Sequence, residues 1–311
     1  LDALQISFAI SGVQTWFWLP PLSGFLVAFF CSMVGISGAF LLLPFQVSYL
    51  GFASPAVSPT NLLFNLFAIP GGIYRYWREG RMVWPLVLVI VSGTLPGTLA
   101  GWFIRTRYLL EPERFRLFAG IVLLYIGGQL LLDYIIRKHR HNHRGPGATG
   151  SGAAIGARLS NQGRVEILAI GPAEVRLQFN GRQHQFSVAG MLLLAFLVGI
   201  IGSAYGVGGG AIIAPFCILL FRLPLHLVAG AALASTLITS LAGVLIYSLL
   251  PAPAGVSTQP DWALGALFGG GGLVGMYLGA RLQRLVPEQL LKLGLTGLLI
   301  TIGSYYLWIQ S

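Results

Sequence analysis

Charged side chains are scarce in this chain of 311 residues: they make up 9% of it, and only nine are acidic. A soluble domain carries about 25%, so this chain has too few charges to cover a water-facing surface. Cysteine is nearly absent. Cys31 and Cys217 both lie in apolar runs, with no neighbouring ligand types to suggest a disulfide framework or a metal site, and they read as small buried hydrophobes. Acidic residues are missing from the interior of the long apolar runs. Asp133 falls near a helix end, and Glu79, Glu111, Glu113, Asp261 and Glu288 fall in or beside loops. Proton relays usually rely on buried intramembrane carboxylates, so a carboxylate-driven proton pump is disfavoured. There is no HExxH, no Ser/Lys dyad and no membrane-embedded His pair, which leaves no catalytic residue and no case for an enzyme. No Gly-Lys-Ser/Thr follows Gly208-Gly209-Gly210, so a phosphate loop is not indicated. No metal site and no cofactor are expected. The first residues show no basic stretch followed by a cleavage site, and no signal peptide is expected.

What is present is apolar. Hydrophobic residues make up 55% of the sequence, and the mean hydropathy is +0.78. The fold class that follows is an all-α polytopic membrane protein, with the lipid bilayer as its solvent. The net charge of +10 would suggest nucleic acid in a soluble protein. Here the basic residues sit in short loops between apolar runs, as an excess in cytoplasmic loops does, and no nucleic-acid partner is expected.

Residues 1–21 read as an interfacial helix or lead-in, closed by Trp16, Trp18, Pro20 and Pro21. Residues 22–136 form a first membrane repeat. Its first two apolar pieces, Leu22–Val34 and Ala39–Leu50, are separated by Gly35-Ile36-Ser37-Gly38. Each piece is short of the roughly 20 residues a span requires. Longer runs follow at 57–76, 83–104 and 115–136. Residues 137–188 change character. A basic run from Arg137 to Arg144 leads to a Gly-rich linker, then to a β-hairpin signal around Asn180-Gly181, a pair suited to a type I′ turn. This is read as a small soluble insert. Residues 189–311 form the second membrane repeat, with short pieces Gly190–Ser203 and Gly210–Arg222 around Ala204–Gly209, then longer runs at 225–249, 262–283 and 290–309.

The halves are copies. With Pro44-Phe45 set on Pro215-Phe216, Gly35 falls on Gly206, Gly38 on Gly209, Leu62 on Leu233, Gly72 on Gly243 and Tyr76 on Tyr247. After one length change, Trp84, Gly93, Gly97 and Gly101 fall on Trp262, Gly271, Gly275 and Gly279. Chance similarity between apolar segments would match Leu and Val at random, not Gly, Pro, Tyr and Trp in order.

Interrupted apolar segments at matching places in two halves point to a transporter binding site. Hydrocarbon cannot satisfy backbone groups freed by a glycine break, so such a break must pack in protein or line a wet cavity. The helix that restarts after it offers free N–H groups and a positive dipole end, which suits an anion. The candidate substrate-binding residues are Gly35, Ile36, Ser37 and Gly38 in the first break, and Tyr205, Gly206, Gly208, Gly209 and Gly210 at the second. To these are added the polar residues of the following helices, Asn61, Asn65, Ser235, Thr236 and Thr239. For the hydroxyls a purely structural role, bonding back to their own helix, is an even alternative. For the Gly-xxx-Gly stripes at 93–101 and 269–279, close helix crossing is the favoured reading.

The stretch from Gly206 to Pro215 (GVGGGAIIAP) resembles the glycine-rich break of the TauE/SafE family of membrane permeases. Gly35 to Pro44 (GISGAFLLLP) is a weaker copy, with Ser37 and Ala39 where glycine is usual. The resemblance covers about residues 22–136 and 189–309. It implies a secondary transporter or permease for a small anionic substrate: sulfite, an organosulfonate or a related sulfur or carboxylate anion. The reading from another class is a membrane-embedded sensor or assembly partner that uses the β insert as an interaction module. A homo-oligomer is compatible with the pattern, and the coupling ion is open.

Two topologies compete. If each broken segment crosses once, the halves are parallel. If each break is a re-entrant hairpin, the halves are inverted. The second model puts Arg75, Arg78, Arg81, the basic loop after residue 137, Arg222, Arg281 and Arg284 on one side. Mainly Arg105, Arg107, Arg114 and Arg116 fall on the other. The positive-inside bias therefore leans to inverted halves in the plasma (inner) membrane with the insert in the cytoplasm.

Overall fold

The computed structural model describes residues 5–34, 37–78, 82–142, 166–171, 173–179, 182–253, 255–282 and 288–308. The first half comprises α1 (Leu19–Val34), α2 (Ala39–Pro44), α3 (Val57–Ala68), α4 (Pro70–Arg78), α5 (Trp84–Arg107) and α6 (Pro112–Asn142). The second comprises α7 (Val188–Tyr205), α8 (Gly209–Leu220), α9 (Leu225–Leu249), α10 (Trp262–Leu282) and α11 (Glu288–Trp308). Among the described residues, six helices are long and apolar enough to cross a membrane: α5, α6, α7, α9, α10 and α11. Gly35 and Ile36 lie outside the described residues, as does the Asn180-Gly181 turn.

Two boundaries differ from the sequence reading. Among the described residues the lead-in forms no helix before Leu19. Instead β1 (Gln5–Ser7) and β2 (Gln14–Trp16) pair antiparallel. Gly12, at φ +69°, takes the left-handed conformation that closes the turn, and Phe8 N–H donates to Val13 O at 2.9 Å. This hairpin is tied to the membrane core by Asp261, whose Oδ2 accepts from Ser11 N–H (3.1 Å) and Ser11 Oγ (2.8 Å). The other carboxylate oxygen caps α10 by accepting from Leu264 N–H at 3.1 Å. The run 57–76 is not one helix. Pro70 brings no N–H to the ladder, and α4 restarts with proline in its first turn, where a missing donor costs nothing.

Both broken segments are hairpins. In the second half, Gly199 faces Gly209, Cys217 Sγ lies 3.7 Å from Met191 Sδ, and Gly190 lies against the Phe221 ring. Helix α8 therefore runs back along α7. In the first half Gly38 lies against Val27 and Ala28, as α2 turns back beside α1. The helix of α2 relaxes after Pro44 into a wide π-turn, Phe45–Tyr49. The residues that end the two hairpins, Gly51 (φ +67°) and Arg222 (φ +52°), fall on each other in the repeat and share a left-handed conformation. Glycine adopts it freely, and arginine does so under strain.

The halves interlock by exchange. Gly93, Gly97 and Gly101 of α5 lie on Leu192, Phe196 and Ile200 of α7. Their repeat partners Gly271, Gly275 and Gly279 of α10 lie on Pro21, Phe25 and Phe29 of α1. Each pre-break helix thus packs in parallel on the glycine stripe of the other half. A Cβ at Gly93 would lie 2.6 Å from Ala195 Cβ, and one at Gly97 3.0 Å from Gly199 Cα, so the stripes serve close helix crossing. The central pair runs antiparallel. Leu62 packs on Gly243, and its repeat partner Leu233 packs on Gly72. Equivalent helices that cross antiparallel through reciprocal contacts define inverted repeats about a pseudo-two-fold axis between α3 and α9.

The insert forms a three-stranded antiparallel sheet, β3 (Glu166–Ile170), β4 (Glu174–Phe179) and β5 (Arg182–Ser187), in that spatial order. Val175, Leu177 and Phe186 form its buried face. Its last residue caps α7, with Ser187 Oγ accepting from Gly190 N–H at 3.3 Å, so sheet and helix are joined without a linker.

Candidate functional site

The two breaks meet. Helix α7 ends as Gly206 turns left-handed at φ +92°, and its N–H bonds back to Gly202 O at 2.9 Å. Val207 and Gly208 (φ +81°) form the bend, their N–H groups returning to Gly202 O at 2.8 and 3.1 Å, and α8 starts at Gly209. The break is therefore tighter than the Ala204–Gly209 read from sequence: Tyr205 belongs to the helix. Its hydroxyl donates to Phe40 O of α2 at 2.9 Å, linking the second break to the first hairpin.

Asn65 of α3 joins both breaks. Its Nδ2 donates to Val207 O at 2.7 Å and to Ser240 Oγ at 3.3 Å. Its Oδ1 accepts from Ser37 Oγ at 3.2 Å. Ser37 Oγ also receives Ala39 N–H at 3.3 Å, at the start of α2. One carboxamide thus uses both ends on two break segments and the following helix of the second half. One turn earlier, Asn61 Nδ2 donates to Ala39 O at 2.9 Å, and Gln46 Nε2 donates to Asn61 Oδ1 at 3.2 Å. Asn61, Asn65 and Tyr205 have no exposed surface. The arrangement is closed. It lies about halfway along α9, beside Thr236 and Ser240, and α9 alone would extend roughly 37 Å at 1.5 Å per residue.

The glycines of the second break are held by close approach on every side. A Cβ at Gly206 would lie 2.5 Å from Ser58 O, one at Gly208 2.8 Å from Ser240 Oγ, one at Gly209 2.7 Å from Thr94 Cγ2, and one at Gly210 2.5 Å from Ser235 Oγ. At Gly38 the nearest atoms are 3.2–3.3 Å away, on Phe64, Val27 and Ala28. At the start of α8, Gly208 N–H bonds back to Gly202 O at 3.1 Å and Ala211 N–H to Gly208 O at 3.4 Å; the N–H groups of Gly209 and Gly210, which helix geometry leaves without an intrahelical acceptor, start at this depth.

The second-half hydroxyls behave otherwise. Ser235 Oγ donates to Ala231 O, Thr236 Oγ1 to Ala232 O and Thr239 Oγ1 to Ser235 O, each at 2.7 Å. These three hydroxyls bond back to their own helix. Ser37, Asn61, Asn65 and Tyr205 reach across. Ser240, Gln46 and Ser58 join the network without standing among the candidate site residues. A polar residue recurring on the face of a break-lining helix was the available signal for Ser240 and Ser58. For Gln46 it was a lone amide between apolar neighbours.

Arg105 is the larger omission. Its place at the end of α5 reads as a loop charge, yet the side chain is completely buried. Its Nε donates to Ser58 Oγ at 3.1 Å, and Ser58 Oγ donates in turn to Ala204 O at 2.8 Å, in the last turn before the second break.

Inverted repeats that meet at paired helix breaks, carried on membrane-crossing helices, are the architecture of a membrane transporter. The comparisons agree. Residues 21–306 match the model of the family described as "Sulfite exporter TauE/SafE", and the chain belongs to that family. It is 21% identical over 285 residues to the probable membrane transporter protein YunE of Bacillus subtilis (strain 168), covering 89% of this chain and 92% of that one. It is 33% identical over 109 residues to the probable membrane transporter protein YdhB of the same organism, covering 35% and 42%. No solved structure matches. It is a multi-pass TauE/SafE family membrane transporter.

Proposed function

We propose that this transporter carries a small anion, with sulfite, organosulfonates and related sulfur oxyanions first among the candidates, and that the paired breaks form its substrate site. The observation that carries the reading is the Asn65 carboxamide, bonded at once to Ser37 of one break and Val207 of the other. A substrate entering between the breaks would replace these bonds with its own. The N-terminal turn of α8, opened by Gly208, Gly209 and Gly210, would contribute N–H groups and a positive dipole end. Among the described residues no carboxylate bonds to this network, so no full negative charge there opposes an anion. The family's description as sulfite exporters supports the same class.

Transport would proceed by rocking the body built on the α1–α10 pair against the body built on the α5–α7 pair about the α3–α9 crossing, opening the Asn65 bridge to each side in turn. With inverted halves, the sequence assigns most Lys and Arg to the side of the insert, so this face is proposed as cytoplasmic and the membrane as the plasma (inner) membrane. Flux of labelled sulfite, organosulfonates and small carboxylates into proteoliposomes is the test. Saturable flux of one of them is expected, and no flux or binding of any would overturn the reading.

A further inference from the structure

Arg105 is a buried cation whose bonding is incomplete. The guanidinium is charged at all physiological pH, and it has no exposed surface. Nε is used by Ser58 and Nη1 by the Leu109 carbonyl, while the group stacks 3.8 Å over the Phe115 ring. None of these partners carries a negative charge. Nη2, with two N–H groups, is buried and has no acceptor among the described residues. One turn earlier on the same helix, the indole Nε1 of Trp102 is a second buried donor without an acceptor. Residues three apart on a helix are neighbours.

A buried charge is normally paired, because desolvation is not recovered otherwise. Two orphan donors and an uncompensated positive charge ask for one thing: an anion with acceptor atoms. Water could satisfy the donors but not the charge. The glycine breaks do not supply this cation, and the second half does not repeat it, since Ser58, which anchors Nε, falls on Ala229.

We propose that Arg105, with Trp102, forms a second station for the transported oxyanion. It is distinct from the breaks and displaced from Asn65 toward the face bearing the N-terminal hairpin. The seven residues from Ser58 to Asn65 set the two stations roughly 10 Å apart along α3. The station is coupled to the second break through Ser58 and Ala204. An anion there would neutralise the guanidinium and load the α7 end of the break from one side only. The proposal rests on the anion-transport reading.

Two measurements separate it from that reading. The first is thermal unfolding of the purified wild-type chain in detergent, titrated with sulfite and, at equal ionic strength, with chloride. A saturable rise in the midpoint with sulfite is expected, lost in Arg105→Gln and weakened in Trp102→Phe, which keeps the ring and removes the N–H. The second is flux in proteoliposomes. Arg105→Gln is expected to raise the half-saturation concentration for sulfite at least tenfold from the hairpin face and less from the insert face, with Trp102→Phe raising it two- to fivefold. Absence of any sulfite-dependent midpoint shift in the wild type would overturn the station even if flux is real. So would an unchanged half-saturation concentration in Trp102→Phe together with an unchanged one in Arg105→Gln. Flux absent for every anion, with the Arg105-dependent shift intact, would sink the transport reading and leave an anion site standing.

Discussion

The two halves share a scaffold and differ in chemistry. At matched places around the breaks, the first half carries Ser37, Gln46, Asn61 and Asn65, where the second carries Gly208, Cys217, Ala232 and Thr236. The first half's amides bond to other elements, Asn65 to Val207 across the interface and Asn61 to Ala39 of α2, whereas Thr236 bonds to its own helix. The second half instead brings backbone, with Gly206, Gly208, Gly209 and Gly210 pressed against neighbouring helices. Duplication supplied paired hairpins and the reciprocal packing of Leu62 and Leu233. Divergence then made one break a side-chain partner and the other a backbone partner. A single small substrate held between unlike surfaces needs no symmetry of its own.

Substitutions can break this asymmetry, and the largest effect is expected on the backbone side. In Gly209→Val the new Cβ meets Thr94 Cγ2 at 2.7 Å, so flux should fall by about a hundredfold or more, in line with overpacking costs of roughly 1–3 kcal/mol added to loss of the N–H approach. The matched change Gly38→Val meets movable side chains at 3.2 Å and should cost clearly less. A Gly38→Val variant as inactive as Gly209→Val, at equal insertion, would count against the distinction.

Removing an amide comes next. Asn61→Ala gives the first half the second half's residue and leaves Ala39 O and the Gln46 amide without their partner. A loss of about 1–3 kcal/mol is expected for a buried group left unsatisfied, read as a lowered unfolding midpoint. Ser37→Ala removes one neutral hydrogen bond worth about 0.5–1.5 kcal/mol, so affinity should drop by less than about 15-fold. Total loss of transport in this variant would mean that side-chain recognition, not the glycine backbone, dominates. Smallest of all is Thr236→Val. The lost hydroxyl bonds only to Ala232 O and, as an acceptor, to nothing across the interface, so flux should stay within about twofold, consistent with intrahelical hydroxyl bonds of under about 1 kcal/mol in membrane proteins.

Much of this was legible in the sequence, because membrane residence and duplication both leave direct marks. Apolar length exposes spans, and Gly, Pro and Tyr at one unshifted register expose the repeat. The same register predicts the reciprocal packing of Leu62 on Gly243 and Leu233 on Gly72 once the halves are inverted. The hairpin nature of the breaks was open, because a span interrupted at its middle and a segment that turns back have the same composition. The lead-in escaped for another reason: residues 5–16 are too few and too mixed for periodicity, and the hairpin is held by Asp261, some 250 positions away. Arg105 was misplaced because charge position along a helix predicts exposure only when no neighbouring element covers its end. Here Ser58, Leu109 and Phe115 do.

The most direct test of the central claim is sulfite flux in proteoliposomes for wild type and Asn65→Leu, reconstituted at equal amounts and matched for correct insertion. Leucine keeps the size of the side chain and removes every bond between it and the two breaks. If the breaks are the substrate site and Asn65 is their shared partner, flux should fall at least tenfold while the protein remains inserted. Wild-type rate and half-saturation in Asn65→Leu would contradict the account.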